Sequence, residues 1–272
     1  MENKELAGSD LKHSSNPKIS VVVTTYNRES YLKETLKSIL NQTYSDFELI
    51  VVDNYSNYDF FKVIEELSDS RIHPFQNNNE GVISVNRNFG ISKARGQYLA
   101  FCDDDDIWKP YKLQRQLKAL EDGEYDLVSS NSSLFSDNID NVQENTNYVD
   151  IKDLDSFLKI NPIITSSVLV KNDSRVRFDE ARCFITIEDY KLWLSLYIDG
   201  FKMHIIKEPL IFYRLFPNNQ SRQNPAVFKI RHVILYAALL VEGKINFWKA
   251  NYHILVNWCK GIIKFTFGYG IH

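Results

Sequence analysis

Cysteine is scarce in this chain. Cys102, Cys183 and Cys259 are the three in 272 residues, odd in number and far apart. They build neither a disulfide framework nor a CxxC metal knuckle, so a reducing compartment, the cytoplasm, is the expected location. Long apolar runs are also missing. The longest, Val233 to Val241, falls far short of the roughly 20 residues that cross a bilayer. Met1 to Lys18 is polar and mixed in charge, so no signal peptide is expected. No charge sign dominates: 32 Lys and Arg against 35 Asp and Glu leave −3. With no basic helix interleaved with aromatics in the first two hundred residues, a nucleic-acid partner is not expected. Repeats and low-complexity segments are absent. What is left, 44% hydrophobic and 25% charged, is the balance of an ordinary globular protein of one large or two smaller domains.

The stretch that stands out is Gln97 to Trp108. Strand-forming residues, Tyr98-Leu99-Ala100-Phe101-Cys102, end abruptly at Asp103-Asp104-Asp105-Asp106. Four adjacent carboxylates repel one another, and a cation is the direct remedy. Hard oxygen ligands on a short loop suit Mg²⁺ or Mn²⁺, which uses one or two carboxylates and completes its shell with phosphates. The plainer reading is a solvated acidic turn. Against it stand the buried-looking strand before the run and Trp108 after it.

Around this stretch the pattern alternates strand and helix. Ile19 to Thr25 is a β-branched run fit for burial on both faces. Leu32, Leu36, Ile39 and Leu40 then fall at helical spacing. Phe47 to Val52 is the next strand, ending at Asp53; Asp59 is placed to cap a helix carrying Val63, Ile64 and Leu67. A short strand at Arg71 to Phe75 and a polar loop, Gln76 to Gly81, lead to a helix over Val82 to Ala94, with Gly96 as its stop. After the acidic run, Pro110 opens a helix with Leu113, Leu117 and Leu120 inward, and Tyr125 to Ser130 is a further strand. Such alternation predicts an α/β fold with a mainly parallel sheet. Tyr26, Asp53 and Asp103 to Asp106 then meet at one sheet edge, where ligands bind in such folds. Asn131 to Asp155 reads as loop; Tyr190, Trp193, Leu194 and Tyr197 share a helix face closed by Gly200; Phe201 to Ile206 and Leu210 to Leu215 read as two short strands. Two amphipathic helices broken near Gly243 follow.

In this order the segments ISVVVTTYNR (Ile19 to Arg28), ELIVVD (Glu48 to Asp53), NEGVISVNRNFG (Asn79 to Gly90), the strand and acidic loop of Tyr98 to Trp108, Phe178-Asp179-Glu180 and EDYKLWL (Glu188 to Leu194) resemble the inverting glycosyltransferases of family 2, with the GT-A fold. The resemblance covers about residues 18 to 220. It implies a disordered lead over 1–17, a nucleotide-sugar-binding half over 18–125, an acceptor-binding half over 126–222 and a C-terminal helical extension over 223–272. Two departures stand out. The resembling chains often carry a second aspartate and a glycine after Asp53, where this one has Asn54-Tyr55-Ser56. They often carry a histidine after Tyr-Arg-x, where this one has Phe216; Arg214 or Arg222 is the expected substitute.

The resemblance also assigns roles. Asp103 and Asp105 form the DxD pair: Asp105 ligates Mn²⁺ or Mg²⁺, and Asp103 holds the donor ribose or a metal-bound water. Asp104 and Asp106 support them. Thr24, Tyr26, Arg28, Asp53, Arg87, Asp103 and Asp104 are the nucleotide-binding set, with Tyr26 stacking on the base and Asp53 accepting a base N–H. For Asp53 a turn or cap is the plainer reading, and for Arg87 a surface ion pair. Asp189, with Glu188 as runner-up, is the base that deprotonates an acceptor hydroxyl; acids in a first helical turn are otherwise explained by the macrodipole. The expected reaction moves a sugar from a nucleotide sugar, UDP-linked, to a saccharide or lipid-linked acceptor. The rival readings are a non-catalytic nucleotide-sugar-binding protein and a nucleotidyltransferase. The second is opposed by the lack of glycine in Thr24 to Arg28. In the C-terminal stretch Lys229, Arg231, Lys244, Lys249, Lys260 and Lys264 face one acid, Glu242, among Phe247, Trp248, Trp258 and Phe265. This leaves open peripheral contact with the inner face of a membrane, packing on the chain's own domain, or a homo-oligomer.

Overall fold

A computed structural model describes residues 16–136, 142–145, 149–216 and 225–256. The expected disordered lead lies outside them except for Asn16 and Pro17. So do Arg222, Trp258, Cys259, Lys260, Lys264 and Phe265. The elements follow the order β1 (Ile19–Thr25), α1 (Glu29–Leu40), β2 (Phe47–Asp53), α2 (Phe60–Leu67), β3 (Ile72–Gln76), α3 (Ile83–Lys93), β4 (Tyr98–Asp103), β5 (Ile107–Trp108), α4 (Lys112–Asp122), β6 (Leu127–Phe135), β7 (Gln143–Glu144), α5 (Leu154–Lys159), β8 (Leu169–Lys171), α6 (Glu188–Ile198), β9 (Met203–Arg214) and α7 (Pro225–Val241). Residues 247–256 form a last helix, α8.

All seven residues of β1 and of β2 are buried. Alternate side chains feed opposite layers: Ile19, Val21 and Val23 join Leu32, Leu36 and Ile39, whereas Val22 joins Leu99, Phe101 and Trp193. A strand covered on both faces needs continuous hydrophobicity, and this run supplies it. The sheet order is β3-β2-β1-β4-β8-β6-β9-β5, with β7 on β6. β3, β2, β1 and β4 are parallel; β8 runs antiparallel to both β4 and β6, so the second half is mixed. The chain leaves β1 toward β2 on one side and returns to β4 on the other. Their carboxyl ends therefore flank a topological switch point, where a crevice opens.

Four local expectations are corrected. Gly96 is no helix stop: α3 ends at Lys93, and a Cβ on Gly96 would stand 2.5 Å from the Ser20 nitrogen, so glycine is required by close approach to β1. β6 runs on to Phe135, into the stretch read as loop. Its Ser129, Ser130, Ser132 and Ser133 are buried, and the Ser129 and Ser167 hydroxyls bond each other at 2.6 Å, so a polar segment became a core strand. β9 is one strand of 12 residues rather than two. Its pairing with β6 skips from Ile206 to Pro209, and a bulge accommodates the proline that has no N–H to donate. α6 is buried nearly all round, not along one stripe.

Trp193, fully buried, packs on Phe101 and Phe178 with ring centroids at 6.3 and 5.9 Å. Phe101 lies two residues before Asp103 and Trp193 one turn after Asp189. This aromatic contact thus sets the first turn of α6 beside the end of β4.

Candidate active site

The register places Thr24 opposite Asp103 and Thr25 opposite Asp53, so the expected strand-end residues do share one edge. A cleft of about 420 Å³ opens there, lined on one side by Thr24, Thr25, Tyr26, Arg28 and Asp104. Asn79, Gly81 and Ile83 line another side, and Ile185, Thr186 and Glu188 close it. Tyr26 is 54% exposed, free to offer its ring to a ligand. The Thr24 hydroxyl is buried with no hydrogen-bond partner, a donor left for whatever fills the cleft.

The four aspartates have four environments. Asp104 is buried beneath the turn after β1, accepting from the Thr25 hydroxyl at 2.7 Å, the Tyr26 amide at 3.4 Å and Arg28 Nη1 at 3.0 Å. Burial pushes its pKa up to about 6 even though Arg28 pulls it down. It holds the turn rather than offering a free carboxylate. Asp106 is buried and accepts from the Arg214 amide at 3.0 Å. Asp105 pairs with Arg28, and Asp103 accepts from Arg87 Nη2 at 2.8 Å. Arg214 does not enter the cleft as a substitute for histidine. Its guanidinium donates to the Asp105 carbonyl at 2.9 Å and to Glu34 at 2.5 Å, bracing the acidic loop from behind. Phe216 instead carries the Arg28 guanidinium 5.3 Å over its ring.

Asp53 is fully buried, and its carboxylate accepts from the Ser56 amide at 3.0 Å and Gln76 Nε2 at 3.0 Å. The plainer expectation, a turn holder, describes its position; it does not line the cleft. The turn it holds contains Tyr55 at φ 54°, a left-handed conformation at the position where the resembling chains carry glycine.

α3 turns Ser84, Asn86, Arg87 and Asn88 inward, a polar buried face that hydrophobic periodicity alone would not predict. Arg87 is no surface ion pair. It is 5% exposed, donates through Nη2 to Asp103 and through Nη1 to Glu188 Oε1 at 2.9 Å, and lies 5.1 Å over the Phe178 ring. Burial opposes its charge, yet Asp103 and Glu188 outweigh burial and raise its pKa. One guanidinium thus ties the acidic loop to the first turn of α6.

Glu188 and Asp189 open α6. Glu188 Oε2 is buried without a partner at the cleft wall. Asp189, half-buried, accepts from the Thr165 hydroxyl at 3.1 Å and Asn161 Nδ2 at 3.5 Å, all neutral donors. Burial, then Glu188, lifts its pKa to about 7 against the pull of Arg87. A carboxyl poised near neutrality is suited to taking a proton. The Tyr213 phenol is raised in pKa by burial and by Asp106, Asp103, Asp105 and Asp189. Thr186, at φ 74°, precedes Glu188 by two residues and accepts a hydrogen bond from Arg231 of α7.

Among the described residues no three His, Cys, Asp or Glu side chains converge on a ready metal cage. Asp103 and Asp105 nevertheless fit a hard dication that takes two carboxylates and leaves the rest of its shell to phosphates. Both keep partial exposure, 34% and 16%, and each is met by the guanidinium of a different arginine.

The profile of Glycosyl transferase family 2 matches residues 20–188, more than half of the chain. The chain belongs to glycosyltransferase family 2. An uncharacterized glycosyltransferase of Methanocaldococcus jannaschii is 32% identical over 259 residues, 88% of this chain and 87% of that one. The Escherichia coli UDP-Glc:alpha-D-GlcNAc-diphosphoundecaprenol beta-1,3-glucosyltransferase WfaP is 28% identical, matching 92% of this chain and 96% of its own. Among solved structures, Staphylococcus aureus TarS 1-349 in complex with UDP-GlcNAc superposes with TM-score 0.70 over 92% of this chain and 73% of that one, at 17% identity. A Pyrobaculum calidifontis mannosyltransferase in complex with GDP-Man and Mn²⁺ gives 0.59 over 95% and 77%, at 16%. The fold is of the GT-A type, and the family 2 chain is a glycosyltransferase.

Within this glycosyltransferase, Thr24, Tyr26, Arg28, Asp104 and Glu188 border one cleft. Asp103 and Arg87 are joined to that cleft through Glu188, Asp105 through Arg28, and Asp189 by adjacency to Glu188. Asp53 stands apart beneath its turn. Thr165 and Asn161, which orient Asp189, went unassigned from sequence. Asn161 lies in a connecting loop and Thr165 in a single 3-10 turn, Thr165–Ser167, both too short for a periodicity to read.

Proposed function

We propose that the chain transfers a sugar from a nucleoside-diphosphate sugar, UDP-linked, to a hydroxyl of a saccharide or lipid-linked acceptor, inverting the anomeric carbon. The observation that carries this reading is the Arg87 bridge. It ties the strand-end carboxylate Asp103 to Glu188 at the cleft wall, one residue from Asp189. The names of relatives support the acceptor class: WfaP acts on a diphosphoundecaprenol-linked sugar, and a Bacillus subtilis relative is named for teichuronic acid biosynthesis.

In this reading Tyr26 covers the base and Thr24 offers its free hydroxyl to the donor. Asp103 and Asp105 are the residues that would hold Mn²⁺ or Mg²⁺, and the ion would supply positive charge for the departing diphosphate. Asp189, kept in place by Thr165 and Asn161, accepts the acceptor O–H proton as that oxygen attacks the anomeric carbon. The bond from that carbon to the diphosphate oxygen breaks, and the nucleoside diphosphate leaves with the electron pair. Glu188 Oε2 faces the same cleft, available to a sugar hydroxyl. A lipid-linked acceptor would bring the enzyme to a membrane face from the cytoplasm. No described helix is long and apolar enough to cross a bilayer. α8 instead turns Phe247, Trp248, Tyr252 and Leu255 outward, 55 to 80% exposed. That aromatic face is what an interfacial lipid contact would use; Lys244 and Lys249 beside it are already paired with Asp199 and Asp155.

The test is turnover. With Mn²⁺ and a panel of nucleotide sugars, the wild type should release UDP in the presence of a diphospholipid-linked sugar, with inverted product. Asp105→Ala should abolish release and Asp189→Asn should cut it by about 10²–10⁴-fold, while circular dichroism stays native. UDP binding without turnover by the wild type would instead mark a donor-binding protein.

A further inference from the structure

The two arginines that meet the acidic loop are held very differently. Arg87 forks Nη1 and Nη2 onto two different carboxylates and is sealed in, with a side-chain exposure of 6%. Arg28 makes both its contacts through a single nitrogen, Nη1, shared between Asp104 Oδ1 and Asp105 Oδ2, and its side chain is 43% exposed. It sits at the N-cap of α1, just after Asn27 at φ 55°, and it lines the cleft itself. Its aromatic seat, Phe216, lies at the end of β9 and not in the acidic loop, so the guanidinium is supported from outside the carboxylates it neutralises. A unit positive charge is thus already present on Asp105, one of the two carboxylates that fit a dication.

We propose that Arg28 is a resident counter-cation of the acidic loop, which holds Asp105 in the absence of donor, yields that carboxylate to the divalent cation, and turns its guanidinium onto the donor's diphosphate. This rests on the metal-dependent reading above and adds an exchange to it. Asp105 cannot serve a guanidinium and a dication at full strength together, because the two cations would stand within a few ångströms of each other and repel. Asp104 is the fixed end of the exchange. Buried and bonded to Thr25 and Tyr26, it keeps Arg28 tethered while Asp105 is released. The planar fork of arginine suits the diphosphate that arrives beside it. The consequence is that the free enzyme binds the metal weakly and takes it up with the donor.

The experiment titrates Mn²⁺ alone, without nucleotide, into wild type, Arg28→Met and Arg28→Lys, following free Mn²⁺ by electron paramagnetic resonance. Calorimetry then measures UDP binding at saturating Mn²⁺. Arg28→Met should bind Mn²⁺ about tenfold more tightly than wild type and UDP about tenfold more weakly. Arg28→Lys, which keeps the charge and loses the fork, should fall between in both. Folded Arg28→Met with unchanged or weaker Mn²⁺ affinity overturns the exchange. Should that variant not fold, Arg28→Lys decides: Mn²⁺ affinity equal to wild type overturns it. A wild type that takes up no Mn²⁺ even with UDP present overturns the metal-dependent reading itself, and the exchange with it.

Discussion

The two acidic ends of the site are given different hydrogen-bond partners. At the strand end, Asp103 and Asp105 are each answered by a guanidinium, and Asp104 shares one of them. At the helix end, Asp189 meets only a hydroxyl, an amide side chain and its own backbone, beside a second carboxylate. Burial therefore wins there, and Asp189 rises to about 7. The first arrangement sets guanidinium charge against carboxylates whose pKa burial nevertheless raises, Asp104 and Asp105 among them. The second keeps a carboxyl close to its protonation midpoint, as a proton acceptor requires. Chemically similar side chains are met differently: guanidinium nitrogens hydrogen-bond the strand-end carboxylates, whereas only neutral donors reach Asp189, which feels Arg87 from beyond Glu188.

The contrast is most easily broken at Asp189. Asp189→Asn removes the proton acceptor, and the transfer rate should fall by about 10²–10⁴-fold with UDP affinity retained, read by steady-state assay and calorimetry. Arg87→Met dissolves the link between the ends. It strands Asp103 and Glu188 without their shared partner, and urea melts should show a loss of about 3–5 kcal/mol. The protonation state sharpens the comparison without breaking it. The folded-state pKa of Asp189 lies above its unfolded value, so between about pH 4 and 7 the folded chain holds a proton that the unfolded chain gives up. Stability therefore falls as pH rises through that window, while the rate rises through pH 7 as the base ionises. Asp189→Asn should be more stable than wild type at pH 8 and show a smaller change between pH 5 and 8 in thermal melts. Away from both ends the smallest change is expected. Tyr55→Gly relieves a left-handed backbone at a gain below about 1 kcal/mol, with activity unchanged.

The strand end was readable in advance because its cause is local. The β-branched run of β1, the apolar run of β4 and the abrupt acids after it impose a buried parallel strand and its terminus whatever surrounds them. Register then carries Thr24 beside Asp103. The helix end had to be reached by resemblance, because two acids in a first helical turn have an ordinary explanation in the macrodipole. What supports Asp189 was invisible. Thr165 comes from a one-turn 3-10 helix and Asn161 from the loop before it, and their meaning lies in contacts across more than twenty positions. Arg87 was found and its surroundings were not: only the tertiary fold shows that α3 turns its polar side inward. β6 was cut short for the same reason, since buried serines carry no hydrophobic signal. Asp53 was given a ligand role, yet Ser56 and Gln76 had already taken its oxygens.

The matched family region stops at Glu188, but the chain's own joinery does not. Lys191 of α6 reaches Glu242 at 2.7 Å, the Tyr236 hydroxyl closes on the Leu158 carbonyl at 2.6 Å, and Arg231 grips Thr186 in the cleft wall. Leu235, Tyr236 and Leu239 sit in the same apolar cluster as Trp193. A shortened version trimmed ahead of Pro225 would thus open the flank of the helix that carries the proton acceptor. Whoever engineers a minimal enzyme from this scaffold must keep the tail at least through α7 or refill the hole it leaves.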